Sequence, residues 1–265
     1  MSNWISFGHG GAALEDFSAP HLAAISTIVL FCAVLVVFGS RIKTEKSKKT
    51  FRIVFAVFIA VQQASLYLWY TVAGEWSVEI TLPIQLCDLS VFLSVAVLLT
   101  KRQLLSELLY YWGIGGATQA ILTPDIGSYT WPHFVFYQFF ISHAVILLAC
   151  IYMILVEKFR PSSRSVLRTL IITNLYGILM MFVNHLTGGN YLFLSAKPAG
   201  GSLLDLLGPW PWYLLSLDGV ALILFTLLYL PFAIGKSKSG SSGIGKGSTV
   251  SSGSTRASGN SGIPT

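Results

Sequence analysis

The chain has 265 residues, 54% of them hydrophobic and 11% charged, with a net charge of +6 and a mean hydropathy of +0.69. About a quarter of a typical soluble domain is charged, so a water-facing globular surface is excluded and lipid is the expected solvent. No basic stripe interleaved with aromatics occurs within a folded segment, which argues against nucleic acid as a partner. Three cysteines, an odd number in or near apolar runs, argue against a disulfide framework.

Runs of the roughly 20 apolar residues needed to cross a bilayer are predicted at 21–39, 52–73, 82–100, 104–122, 134–156, 166–185 and 210–234. The first lacks the positive n-region and small-residue cleavage site of a signal peptide and is read as a retained helix. The fourth has the weakest apolar signal, but Gly113, Gly115, Gly116, Ala117 and Ala120 suit close helix packing, so it is predicted to be an interior span. Residues 40–52, 101–102, 157–168 and those after 235 hold 16 of the 17 Lys and Arg residues, Lys197 being the exception. The positive-inside rule then places the N-terminus outside and the C-terminus in the cytoplasm, and an odd number of spans is required. The predicted fold is an all-α bundle of seven transmembrane helices over 21–235. It is preceded by an external segment, 1–20, and followed by a cytoplasmic tail, 236–265. Twenty of the tail's 30 residues are Gly, Ser or Thr, the composition of a flexible linker that cannot bury enough apolar surface to order itself. Its "GSSGIGKG" lacks the hydroxyl residue, strand and helix of a phosphate-binding loop.

Polar residues inside the predicted spans are expensive and mark packing contacts or function. At 1.5 Å per residue, Cys87 is predicted about 8 Å below the outer boundary with Asp88 just beneath it, His143 about 14 Å down and Asp218 about 12 Å down. Gln138 lies above His143, Gln62 and Gln63 near the midplane, and Asn184 and His185 at the outer end of the sixth span. The asymmetry predicts a polar cavity toward the outer leaflet. Each amide alone reads first as a helix-linking hydrogen bonder. Asp88 is expected to be satisfied by Gln85 three residues earlier, and so to shape the site. Cys32 and Cys150 read as packing residues. Cys87 differs because a helix N-terminus begins just above it at Pro83, and such a terminus favours the thiolate. A histidine in the same half completes a Cys–His nucleophile pair. His9, His21 and His133 read as interfacial, and no HxxxH, CxxC or HxxE spacing supports a metal.

Four separated stretches, "LPIQLCDLS", "YYWGIGGATQAILTPD", "ISHAVIL" and "MFVNHLTGGNYLFLSAKPAGGSLLDLLGPWPWYLL", together resemble the YwaF-like bacterial integral membrane proteins. That family is similar to a eukaryotic transmembrane acyltransferase linked to arachidonoyl ether phospholipids and ferroptosis. The resemblance covers roughly residues 15–233 and implies a multi-pass protein of the bacterial cell membrane that uses an acyl-cysteine. It implies Cys87 as nucleophile and His143 as its base, with His185 the competing base, and phospholipids or lysophospholipids as partners, with no cofactor. Gln85 and Asn184 are candidate oxyanion donors. Gln62, Gln138, Asp88, Asn190, Tyr191 and Asp218 are supporting residues, Asn190 and Tyr191 within a Gly-, Pro- and aromatic-rich cap over the site. The alternative expectation is a non-enzymatic transporter, scramblase or sensor whose outer cavity binds a small polar ligand.

Overall fold

A computed structural model describes Ile5 and residues 14–198 and 203–241. Most of the predicted external segment, and the predicted tail beyond Ser241, lie outside the described residues. Among the described residues the fold is all-helical, with seven α-helices: α1 (Ala19–Phe38), α2 (Glu45–Ala73), α3 (Leu86–Thr100), α4 (Gln103–Leu122), α5 (Phe134–Leu155), α6 (Ser165–Thr187) and α7 (Trp212–Ser241). Short 3-10 turns at Tyr191–Phe193 and Leu203–Leu207 lie between α6 and α7. Helices α1, α2, α5, α6 and α7 are each long and apolar enough to cross a membrane, whereas α3 is apolar but has only 15 residues.

The helix limits follow from local chemistry. Helix α2 begins seven residues before the predicted apolar run because Thr44 caps it: its Oγ1 accepts from the Ser47 N–H at 3.1 Å. Glu45 occupies the first turn, where a carboxylate suits the helix dipole. An apolar-run criterion passes over these two basic, water-compatible turns. Helix α2 ends where Gly74 adopts φ 69° and α6 where Gly188 adopts φ 74°, the left-handed C-terminal stop that glycine tolerates. Helix α3 starts at Leu86, four residues later than predicted. Pro83 disfavours helical backbone at Leu82, and Gln85 becomes the extended N-cap residue. Helix α7 carries Pro231 in its interior. Beside that break, the Tyr110 hydroxyl donates to the Leu228 carbonyl at 2.8 Å.

Helices α4 and α5 form the centre. Helix α3 packs on both, α2 on α3 and α5, α1 on α5, and the α6–α7 pair on α4. Burial runs against hydropathy. Helix α4, with Glu107, Tyr110, Tyr111 and two adjacent glycines, has ten buried residues, including an unbroken run from Ser106 to Gly113. The apolar helices α1, α2, α6 and α7 instead expose rows of large side chains such as Val29, Val61, Leu175 and Leu215. In water this arrangement would be unstable; in hydrocarbon apolar side chains face outward, and polar or small ones are used for packing.

Loops gather alternately at two ends of the bundle. At the basic end, Glu157 after α5 pairs with Arg52 of α2 and, at 3.5 Å, with Lys101 between α3 and α4. Glu107 of α4, fully buried, receives Arg168 of α6 at 3.0 Å and the Ser162 N–H at 3.0 Å. Burial alone would raise the Glu157 carboxyl, but the Arg52 hydrogen bond and charge, helped by Tyr152 and Lys101, hold it below the ordinary carboxylate range. At the other end, Tyr191 ties the 188–198 turn to the 74–85 loop, His21 meets the end of α4, and Tyr129 lies against His133 before α5.

At Gly113, α4 lies close against α5. A Cβ there would lie 2.8 Å from Ile146 Cγ2 and 3.0 Å from Cys150 Sγ, and both neighbours are buried. Gly113→Val should therefore lower the melting temperature of the detergent-purified protein by an overpacking cost of about 1–3 kcal/mol. Gly116→Ala, where a Cβ meets nothing within 4 Å, should leave it unchanged. Equal melting of Gly113→Val and wild type would refute this close approach.

Candidate functional site

The segment before α3 is fixed from several directions. The Tyr191 hydroxyl donates to the Val78 carbonyl at 2.8 Å and accepts from the Leu82 N–H at 3.1 Å. Tyr176 of α6 donates to the Ile84 carbonyl at 2.6 Å. The Gln85 Oε1 accepts the Leu192 N–H at 3.0 Å. Asn184 clamps the same loop from both sides of one residue, donating to the Tyr191 carbonyl at 3.0 Å and accepting its N–H at 2.7 Å. Asn190 closes the next turn through the Ser195 and Ala196 N–H groups and the Ala196 carbonyl. The Tyr213 hydroxyl of α7 donates to the Phe193 carbonyl. The cap is thus a hydrogen-bonded structure laid over the start of α3, and Cys87 and Asp88 occupy the second and third positions of that helix.

Asp88 is satisfied by a different route from the one expected. The Gln85 side chain is turned toward Leu192, and Asp88 Oδ1 accepts instead from Gln63 Nε2 at 3.2 Å. The Tyr67 hydroxyl and the Gln85 backbone amide add further interactions with the same carboxylate. Gln63 also donates to Tyr67 at 3.0 Å and accepts from Gln62 Nε2 at 3.2 Å. Gln62 Oε1 in turn accepts from Ser142 Oγ at 3.1 Å and Gln138 Nε2 at 3.4 Å, and Gln138 donates to Ser142 at 2.9 Å. A continuous polar ladder therefore runs from α5 through α2 to the first turn of α3. Gln62 and Gln138 are brought together as supporting residues. Gln63, Tyr67 and Ser142 complete the ladder, and their signal was spacing: Tyr67 follows Gln63 by four residues and Ser142 follows Gln138 by four, one helical turn on the same face.

Asp218 stands apart. It accepts from Asn174 of α6 at 2.9 Å and ties α6 to α7 without joining the ladder. His185 is exposed on the last turn of α6, whereas His143 is buried. His143 Nδ1 lies 2.7 Å from the Phe139 carbonyl; a carbonyl only accepts, so Nδ1 carries the hydrogen and Nε2 keeps its lone pair. Cys87 shares its helical stripe with Ser94 and Leu98, both fully buried, and His143 shares its own with Ile146 and Cys150, also buried. Both stripes face the interior of directly packed helices, and among the described residues no hydrogen bond joins the two side chains.

Two histidines expected at the interface are instead buried structural groups. His21 Nε2 donates to the Ile121 carbonyl at 2.7 Å while Nδ1 accepts the Phe17 N–H at 2.9 Å, stapling α1 to the end of α4. His133 caps α5, its Nδ1 accepting the Val135 N–H at 3.1 Å. His9 lies outside the described residues.

An all-helical bundle with apolar flanks, a polar interior ladder and a hydrogen-bonded cap defines a multi-pass membrane protein. The family model of the TMEM164 family matches residues 17–229, and the chain belongs to that family. The match is to the TMEM164 family and does not single out the YwaF grouping that the motifs resemble. The chain is 28% identical over 230 residues, 84% of its own length and 94% of the relative's, to an uncharacterized protein of Treponema pallidum (strain Nichols). No solved structure matches.

The ladder's dependence on Asp88 can be measured. Asp88→Leu strands the second donor of Gln63 and removes the acceptor facing Tyr67, at about 1–3 kcal/mol for each buried group left unsatisfied. Its melting temperature should fall clearly below that of wild type, with Asp88→Asn, which keeps one carbonyl acceptor, in between. Wild-type melting of Asp88→Leu would show that the ladder carries no stability.

Proposed function

We propose that this protein is a membrane-embedded lipid acyltransferase that carries the acyl group on Cys87. The observation that supports the proposal is that Cys87 and His143 lie on directly packed helices, each on a stripe with buried neighbours. Cys87 occupies the first turn of α3, and His143, on the directly packed α5, has its proton held at Nδ1 and its Nε2 lone pair available. The resemblance of "LPIQLCDLS" and "ISHAVIL" to an acyl-cysteine family supports the same two residues.

The chemistry runs in two halves. Nε2 of His143 takes the Cys87 thiol proton as sulfur attacks the ester carbonyl of a phospholipid. The tetrahedral intermediate collapses, the imidazolium returns the proton to the departing lysophospholipid oxygen, and an acyl thioester remains. A second lysophospholipid hydroxyl, or water, then gives its proton to Nε2 and attacks the thioester, and the Cys87 thiolate recovers the proton. Asn184 gives its oxygen and one N–H to Tyr191, which fixes its amide against the cap. The Cys87 backbone N–H, in a first turn that has no i−4 acceptor, and the Gln85 amide nitrogen are the donors that fit. The cap over this turn would keep water from the thioester.

The basic end is the cytoplasmic end in this reading, and all seven helices cross the bacterial cell membrane. Residues 82–85 extend the short α3, and α4 crosses in the interior. The 16-to-1 distribution of basic residues supports this orientation. In a background without native cysteines, Ser47→Cys should resist an impermeant thiol reagent added to intact cells and react after lysis. Labelling from outside would reverse the topology.

The activity is tested with purified protein, a labelled phospholipid and a lysophospholipid acceptor. Wild type should transfer acyl chain and yield a hydroxylamine-sensitive adduct on Cys87 by intact mass. Cys87→Ser and His143→Ala should each reduce transfer at least a hundredfold, and the double variant should be little worse than either, since paired catalytic groups are non-additive. Full transfer by Cys87→Ser at equal protein level would overturn the mechanism and favour reversible binding of a polar ligand.

A further inference from the structure

Beside the ladder, between α2 and α3, lies a cavity of about 520 Å³ lined by Ala60, Gln63, Ala64 and Tyr67 of α2, Trp76, Pro83, and Val91, Phe92, Val95 and Ala96 of α3. We propose that this groove binds one fatty acyl chain of a membrane phospholipid, its glycerol end at Trp76 and Pro83 and its methyl end at Ala60 and Ala96. The acyl-cysteine reading enters only in making that chain the one transferred.

Four observations select this occupant. The size falls within the roughly 300–1,000 Å³ of small-ligand sites, and no charged side chain lines it. Its two hydrogen-bonding side chains facing α3, Gln63 and Tyr67, are already engaged: both Gln63 N–H groups are donated, to Tyr67 and Asp88, and Tyr67 accepts from Gln63 while interacting with Asp88. A polar ligand would have to break the ladder to bind, whereas a hydrocarbon chain would not. The groove also runs from the turn before α3 down to Ala96, about 15 Å at 1.5 Å per residue, which is half the roughly 30 Å hydrocarbon core and so the depth of one leaflet.

The fourth observation is the gradation along the groove. Trp76 and Tyr67, with ring centroids 6.1 Å apart, stand at its mouth, the position that amphipathic aromatics take at the headgroup level. Three alanines widen its deeper part. The flanking residues Val57, Val61 and Leu68 are exposed and apolar, so the groove opens onto the same phase that supplies the chain. Val91, on its wall, follows Cys87 by one helical turn, which brings a bound chain's ester end toward the first turn of α3.

The test uses full-length protein in nanodiscs of phosphatidylcholine containing a trace of phosphatidylcholine with a diazirine at the end of one fatty chain. After irradiation and digestion, crosslinks should concentrate on Ala60, Ala64, Val95 and Ala96 and exceed those on the exposed faces of α1, α6 and α7. Ala64→Trp fills the groove and should reduce these crosslinks at least fivefold without altering those elsewhere. Ala96→Leu provides a milder filling for which folding is checked by unchanged melting, and it should shift crosslinks toward the mouth. Uniform labelling of all lipid-facing helices, or groove labelling unchanged in both folded variants, would overturn the proposal. Groove labelling without any Cys87 adduct would support the chain site and reject acyl transfer; an adduct without groove labelling would do the reverse.

Discussion

A charged or strongly polar group in the apolar interior of this protein is costly without a partner within the protein, and the packing of α2, α3 and α5 depends on how Asp88 finds its own. A carboxylate on the first turn of α3 is costly in a low-dielectric bundle unless donors converge on it. They come from α2, and those donors are fixed in turn by α5 through Gln62, Gln138 and Ser142. The ladder sets the register of three helices at once. It also explains why α3, the shortest of the seven helices, is held on two sides by polar contacts as well as by apolar packing with α4 and α5.

A second polar system fixes the opposite end. Glu157 and Glu107 each collect partners from different helices: Arg52 and Lys101 for the first, Arg168 and the 156–165 turn for the second. Between these two systems the core is built from Leu, Val, Ile and small residues together with aromatics such as Tyr111, Trp112 and Tyr152, with little room at Gly113. Helix α6 joins the second system through Arg168, and α7 joins neither among the described residues. They meet α4 through a few contacts, such as Trp112 to Thr173 at 2.8 Å and Tyr110 to Leu228. Their connection through the cap makes the cap a structural bridge as well as a cover.

The helices were legible because apolar runs and basic loops are one-dimensional signals. All seven predicted runs correspond to helices, and the misjudged limits, at α2 and α3, fall where capping or a proline outranks hydropathy. The polar network was legible in composition but not in pairing. Gln62, Gln138 and Asp88 stand out as costly residues, yet only the crossing of α2 with α3 and α5 decides that Asp88 meets Gln63. Gln85 reads as the local partner by spacing. A competing tertiary acceptor role, toward the Leu192 N–H 107 positions away, turns its side chain elsewhere. The roles of His21 and His133 were hidden for a related reason. Near the ends of apolar runs they look interfacial, but each caps or staples a helix end that other segments then cover.

This division of labour bears on how the start of α3, with Cys87 in its first turn, is held. The first-turn N–H groups of a helix normally seek a side-chain or solvent acceptor. Here the residue at the cap position, Gln85, gives its oxygen to the overlying loop instead, and no side-chain cap closes α3. The loop is thereby anchored to the turn it covers, and no side chain at the cap position closes the first turn around Cys87. A Ser or Asp at position 85 would cap α3 better by about 1 kcal/mol but would be too short to hold Leu192 in the same way. In the acyl-cysteine reading that stability is given up for two requirements of thioester chemistry at one position: donors for a developing oxyanion and a fixed cover against water. The same trade has little use in a reversible binder of small polar ligands, where a mobile cover and a satisfied helix end serve better.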